Sequence, residues 1–133
     1  MLKKSLFFIV VLLLSTTILH AQNNKFTLRG EIKGMTSGHL LFGYTDNNEQ
    51  YVQKNVPVKN GKFQLEGTIS EPTNMSLRLD STVRYMDDPN LTDFWIEASD
   101  MQLEIVVGKF KEFKLSGSKT NEEEQELNRQ QAP

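Results

Sequence analysis

Apolar and polar residues alternate with a period of two along much of the chain after residue 21. Between residues 26 and 32, apolar residues and one glycine occupy every second position, and polar residues lie between them. Residues 63–69 repeat this arrangement. Because successive side chains of a β-strand point to opposite faces, the alternation predicts strands that bury one face and expose the other.

A tight hairpin is predicted between two of these segments. Residues 52–58 lead into Lys59-Asn60-Gly61-Lys62, and the alternating segment that begins at Phe63 follows at once. An Asn-Gly pair between two alternating segments is typical of a two-residue hairpin turn, since both residues tolerate positive φ. The turn also fixes which side chains of the two strands face the core.

Other short apolar segments extend the β pattern. Further strands are predicted at residues 40–44, 75–79, 94–97, 101–107 and 113–115. The predicted fold is therefore all-β: an antiparallel β-sandwich, or an open barrel, of about 7–9 short strands. About a third of the residues after position 21 are apolar, which suits strands with one buried face better than a parallel sheet covered on both faces.

The pattern Phe-x-Leu-x-Gly occurs three times, starting at Phe26, Phe63 and Phe113. The spacing between the copies is unequal, whereas a solenoid needs a constant period. We interpret the pattern as the same local packing arrangement in three strands, with glycine at positions where another backbone comes close or the strand bends. Glycines that cradle a phosphate are clustered ahead of a helix, and these are scattered among strands.

Residues 120–131 are rich in Glu and Gln and predict a helix. A capping box of Thr120 with Glu123 is the preferred start, and Ser118 with Asn121 is the weaker alternative. Leu127 is the only large apolar residue in this segment, so we expect the helix to fray in solution. The predicted organisation is a signal peptide at 1–21, a β-sandwich domain at 22–118, and a helical tail or truncated connector at 119–133.

The first 21 residues have the features of a secretory signal. Lys3 and Lys4 precede an uninterrupted apolar run from Leu6 to Leu14, and Ala21 supplies a small residue for cleavage before Gln22. The run is too short to span a bilayer comfortably. We therefore expect an exported protein, periplasmic or secreted, with no stable membrane insertion after cleavage.

Composition excludes several kinds of chemistry. The chain has 15 basic and 17 acidic side chains, and loss of Lys3 and Lys4 with the leader gives a net charge of −4, which argues against a nucleic-acid partner. It contains no cysteine, and His39 is the only histidine after the leader. Thiol chemistry and histidine-cluster metal sites are excluded, and no cofactor is expected. We expect His39 at the surface rather than acting as a base.

Two segments contain candidate site residues. Asp87–Asp93 gathers three carboxylates and an amide that could offer oxygens to calcium, but it lacks the glycine and terminal glutamate of a helix-loop-helix site, so a solvated turn is the preferred interpretation. Tyr85, Phe94 and Trp95 are the candidate surface for a ligand or partner. Alternation places Trp95 and its two neighbours on opposite faces, and we expect one of these faces to be core, covered by residues 80–93.

Four segments together resemble a known family. They are the run from Phe26 to Ile32, the segment Asn60–Gly67, the strand Phe94–Glu97, and the ending Leu115–Glu122. They are similar to a domain of unknown function in exported Bacteroidota proteins, commonly found ahead of a thioredoxin-like, peroxiredoxin-type domain. The resemblance implies a β-sandwich, an exported location and accessory service to a thiol:disulfide oxidoreductase. It supplies no catalytic residue.

Two hypotheses for function follow. The first is a non-catalytic exported accessory or interaction domain, whose partner is a protein or a downstream thioredoxin-like domain. The alternative is a carbohydrate- or ligand-binding module that uses the region from Tyr85 to Trp95. Neither requires the domain to be an enzyme.

Overall fold

The computed structural model of the protein describes residues 23–79, 82 and 87–133. These residues form eight strands, a 3₁₀ turn at Phe110–Glu112 and one helix, α1. The elements are β1 (Lys25–Lys33), β2 (Ser37–Thr45), β3 (Tyr51–Lys59), β4 (Lys62–Thr68), β5 (Thr73–Arg78), β6 (Leu91–Ile96), β7 (Asp100–Val106), β8 (Lys114–Ser116) and α1 (Lys119–Gln131). Each strand lies where the sequence pattern predicts one.

The strands form one mixed sheet in the order β6-β5-β2-β3-β4-β1-β7-β8, curled into a half-barrel. A β-sandwich is not confirmed, and the expectation of a purely antiparallel sheet is wrong. The exception is the pairing of β1 with β7, which is parallel, with Leu28 beside Met101. Alternation predicts which face of a strand is buried, but it does not identify the neighbour or its direction.

The connection between β6 and β7 requires the sheet to curl. These strands are first and seventh in the sheet order, yet residues 97–99 alone join them. In a flat sheet the two strands would lie about 29 Å apart, at about 4.8 Å per strand. The step from residue 96 to residue 100 spans at most about 14 Å. The ends of the sheet must therefore approach each other.

Strands β1 and β4 pair two copies of the Phe-x-Leu-x-Gly pattern with each other. The register pairs are Phe26 with Gly67, Leu28 with Leu65, and Gly30 with Phe63. A Cβ atom added at Gly30 would lie within 3.0 Å of three ring atoms of Phe63, and one added at Gly67 would lie 2.8 Å from Cε1 of Phe26. Each glycine thus makes room for the phenylalanine ring of the other strand.

The third copy of the pattern matches the sequence interpretation more closely. Gly117 has a φ of +87°, and a Cβ atom there would meet the backbone of Asp100. The sequence interpretation expects either a close backbone approach or a strand bend at each glycine. At Gly30 and Gly67, however, the closest groups are side chains: the Phe63 ring at Gly30, and the Tyr44 hydroxyl followed by the Phe26 ring at Gly67.

The core lies on the inner face of the curled sheet. The rings of Phe42 and Phe63 have centroids 5.8 Å apart, and Phe26 meets Tyr44 edge-on at 5.3 Å. These contacts connect β2 with β4 and β1 across the interior. Burial raises the pKa of the Tyr44 phenol, and the nearby charge of Asp46 raises it further, so Tyr44 stays neutral in the core.

The Asn60-Gly61 hairpin is confirmed. Asn60 has a φ of 52° and Gly61 a φ of 71°, as a type I′ turn requires. However, within the described segment 51–68, Lys59 and Lys62 are the only register pair between β3 and β4. The two strands diverge beyond the turn, because β3 continues along β2 and β4 along β1.

The contact between Gly30 and Phe63 can be tested with a double-mutant cycle. Phe63→Ala should lower the free energy of unfolding by about 3–5 kcal/mol, since it empties a core position. Gly30→Ala should lower it by about 1–3 kcal/mol, because the new methyl group collides with the ring. In the Phe63→Ala background the cost of Gly30→Ala should largely disappear. Urea unfolding of the four proteins gives the coupling energy, and strictly additive effects would contradict this account.

Candidate functional site

The structure places the two described residues of the predicted surface on opposite faces of β6. Tyr85 lies outside the described residues. Phe94 is 1% exposed, and its ring packs in the core 5.4 Å from that of Phe113. Trp95 points to the opposite face and is half-buried. The surface proposed from the sequence is therefore described only at Trp95.

The polar side chains near the end of the loop before β6 take part in the turn itself. Asp88 accepts the N–H of Asn90 on its Oδ1 atom at 2.9 Å, and its carbonyl accepts the N–H of Leu91 at 3.2 Å. Asn90 in turn accepts the N–H of Gly108 at 2.6 Å. Among the residues that the structure describes, no three His, Asp or Glu side chains are grouped closely enough to hold a metal ion.

His39 lies exposed on β2, opposite Pro57 of β3. This is the surface position that the sequence predicted.

The outer edge of β6 is bonded to the chain segment that follows β8. The Oγ atom of Ser118 donates to the carbonyl of Trp95 at 2.6 Å, and Asn121 accepts the N–H of Trp95 on its Oδ1 atom at 3.4 Å. The carboxylate of Glu97 accepts the N–H of Thr120. Since β6 and β8 are the two ends of the sheet order, residues 118–121 close the half-barrel. We call them the closing segment.

Ser118 is the N-cap of α1 and accepts the N–H of Asn121 at 3.2 Å. The preferred prediction, a box of Thr120 with Glu123, is wrong. The N–H of Thr120 binds Glu97 instead, while the Ser118 hydroxyl serves both the helix and β6. Local sequence rules favoured Thr120, but a partner distant in sequence decides the cap. Ser118 and Asn121 are 0% and 1% exposed.

Beyond the closing segment, α1 carries only exposed side chains. Every residue from 122 to 133 is exposed, and Leu127 is 53% exposed. The ion pairs along the helix are local: Lys119 with Glu123 at 3.8 Å, and Arg129 with Glu126 at 2.9 Å. Burial of the α1 side chains is thus confined to its first turn. Within residues 23–79, 82 and 87–133, no helix has the length and apolar character needed to cross a bilayer.

A second aromatic residue, at the start of β3, lies on an outer face. Tyr51 is 63% exposed, and its hydroxyl lies above Gly43 of β2, where a Cβ atom would meet it. The same added atom would lie 2.8 Å from Oγ of Ser76. A glycine within a strand was the available sequence signal, because it often marks a place where another group approaches closely.

The curled sheet, the closing segment and the projecting helix define a small, mostly β module. The chain belongs to the family of the domain of unknown function DUF4369, whose family model matches residues 26–124. No curated protein and no solved structure matches the chain. The matched range includes the closing segment, so the first turn of α1 is part of the family domain.

The closing segment and the rest of the helix should differ sharply in their effect on stability. Ser118→Ala removes the helix cap and leaves the Trp95 carbonyl without its hydrogen-bond donor. The free energy of unfolding should fall by about 2 kcal/mol. Deleting residues 122–133 should lower the free energy of unfolding by less than about 1 kcal/mol, because those side chains are exposed. Thermal unfolding should show the melting temperature of Ser118→Ala falling by about 8 °C or more. An equally large fall for the deletion would mean that the tail is packed on the sheet.

Proposed function

We propose that this protein is a non-catalytic, exported accessory domain of the kind attached to thiol:disulfide oxidoreductases. In this proposal, α1 is the surface offered to a thioredoxin-like partner domain. The supporting observation is the division of the helix into a first turn bonded to β6 and a remainder whose side chains are all exposed.

The amino-acid composition is consistent with a role in binding a partner rather than in thiol chemistry. The chain contains no cysteine, so any thiol exchange would have to occur on the partner. Export is part of the proposal on the basis of the leader at residues 1–21. The domain would position a thioredoxin-like domain or its substrate, and the partner would supply the reactive sulfur.

A helix with so little to bury is marginal alone, and a partner would stabilise it. The exposed side chain of Leu127 is the only large apolar group on α1, and Glu123 and Glu126 lie beside it. Docking that covers Leu127 would remove apolar surface from water and order the helix. The surrounding carboxylates favour a partner surface with basic side chains.

The proposal can be tested by NMR titration of the ¹⁵N-labelled domain, residues 22–133. The probe is a thioredoxin-like domain from an oxidoreductase that also carries a domain of this family. We expect chemical-shift changes at residues 122–131, and Leu127→Glu should weaken binding at least tenfold. Tyr51→Glu is the matched control, since it introduces the same charge at another exposed large side chain, on a different face.

Two outcomes would overturn the proposal. One is binding that leaves the α1 resonances unchanged. The other is a domain that binds neither the reduced nor the oxidised form of the probe. The domain alone should also fail to reduce insulin disulfides, and measurable reduction by pure protein would contradict a non-catalytic role.

A carbohydrate-binding module is the second candidate, and the exposed ring of Tyr51 favours it. Tyr51 and Trp95 lie on the outer face of β3, β2, β5 and β6, on which Ser76 and Asn74 present polar groups. Exposed aromatic rings beside amides and hydroxyls can stack on neutral sugars. Affinity electrophoresis in gels containing neutral polysaccharide should then show retardation that Tyr51→Ala abolishes, and unretarded migration of the native domain would eliminate this candidate.

A further inference from the structure

The divergence of β3 and β4 leaves two strand edges facing each other without a ladder between them. Residues 23–79 are described without a gap, and there the pair Lys59–Lys62 is the only register contact between these strands. At the other end of the opening, Asn47 donates its N–H to the carbonyl of Thr68 at 3.1 Å. The opening is thus bounded at both ends, and the backbone edges between have no strand partner.

A cationic groove lies at the turn end of this opening. Its volume is about 520 Å³, and its lining includes Arg29, Lys59 and Lys62 against a single acidic residue, Glu31. Lys62 lies 3.9 Å from Glu31, whereas the side chains of Arg29 and Lys59 make no hydrogen bond or ion pair with any residue that the structure describes. The groove is therefore positive, although the chain as a whole has a net charge of −2.

We propose that this groove binds an acidic peptide segment in extended conformation, which adds as a short strand to the free edge of β3. Backbone groups of the peptide would pair with those of β3, and its carboxylates would reach Arg29 and Lys59. The free edge favours a peptide over other anions, because a peptide is the ligand that can extend a strand ladder. The inference does not depend on the role proposed for α1.

Pro57 indicates which backbone groups face the opening. Proline has no N–H, and within a sheet it is confined to positions where that group would point away from the ladder. Since Pro57 pairs with His39 in a continuous register with β2, its nitrogen faces the opening. Alternate residues of a strand share that direction, so the N–H groups of Gln53 and Asn55 face the opening too.

Pro57 also limits what can bind. The missing N–H interrupts the free edge, which discourages extended pairing with a second copy of the domain. A short segment that pairs beside Gln53 and Asn55 avoids this interruption. The occupant is therefore a short acidic peptide rather than another domain edge.

Fluorescence anisotropy with synthetic peptides tests the proposal. The probe is fluorescein-labelled Val-Glu-Val-Glu-Val-Glu at low salt, compared with the lysine counterpart and with an acidic peptide N-methylated at alternate residues. The acidic probe should bind, the lysine peptide should not, and N-methylation should weaken binding at least tenfold. The double substitution Arg29→Glu with Lys59→Glu should abolish binding of the acidic probe.

The matched control carries the same change in charge elsewhere on the surface. Lys25→Glu with Lys111→Glu alters two exposed lysines that do not line the groove, and binding should change less than threefold. Asn55→Pro removes one edge N–H without altering charge and should weaken binding. Thermal unfolding of each variant establishes that it is folded. The comparison with the N-methylated peptide uses the native domain, so it does not depend on the folding of any variant.

Three outcomes would overturn the proposal. If the N-methylated peptide binds as tightly as the unmodified acidic probe, the groove attracts anions without backbone pairing to β3. Equal weakening by the control pair would show nonspecific charge attraction. Absence of binding by the acidic probe would mean that Pro57 and the lysines only protect the edge.

Discussion

Phenylalanine rings seated over glycines of the neighbouring strand are the contacts on which the rest of this structure depends. The pair formed by Phe63 and Gly30 exists only if β1 and β4 lie antiparallel in one register. A slip of β4 by one residue would turn Phe63 out of the core and separate it from Gly30. Since β1 also pairs with β7, this register fixes the centre of one half of the sheet.

The second requirement is closure of the curled sheet, and it is met at β6. The short connection to β7 brings the two ends of the sheet together, and the closing segment then satisfies the backbone of Trp95. A free edge at this position would expose unpaired donors and acceptors, a known hazard for β proteins. The first turn of α1 is therefore a structural part of the sheet, although the rest of the helix is not.

Local periodicity predicted the elements well because it depends on neighbouring residues alone. All eight strands, the Asn60-Gly61 turn and the helix follow from alternation, turn chemistry and composition. The parallel pairing of β1 with β7 could not be predicted, and the cap at Ser118 was predicted only as the weaker alternative, since both depend on partners distant in sequence. Local rules describe what a residue prefers, and tertiary contacts determine which preference is satisfied.

The same limit explains what was missed at the candidate site. Alternation established that Phe94 and Trp95 face opposite sides, but the pairing of Phe94 with Met75 of β5 determines which one is buried. The exposed position of Tyr51 becomes informative only once Gly43 is known to lie beside it in the sheet.

The core uses the inner face of the sheet, and closure uses the first turn of the helix. Three kinds of surface lie outside these requirements: the outer face around Tyr51, the free part of α1, and the opening between β3 and β4. Substitutions on those surfaces leave the main packing contacts intact, so their chemistry can be altered with little effect on folding. The recognition proposed for these surfaces is therefore physically separable from stability, and the two can be examined by different variants.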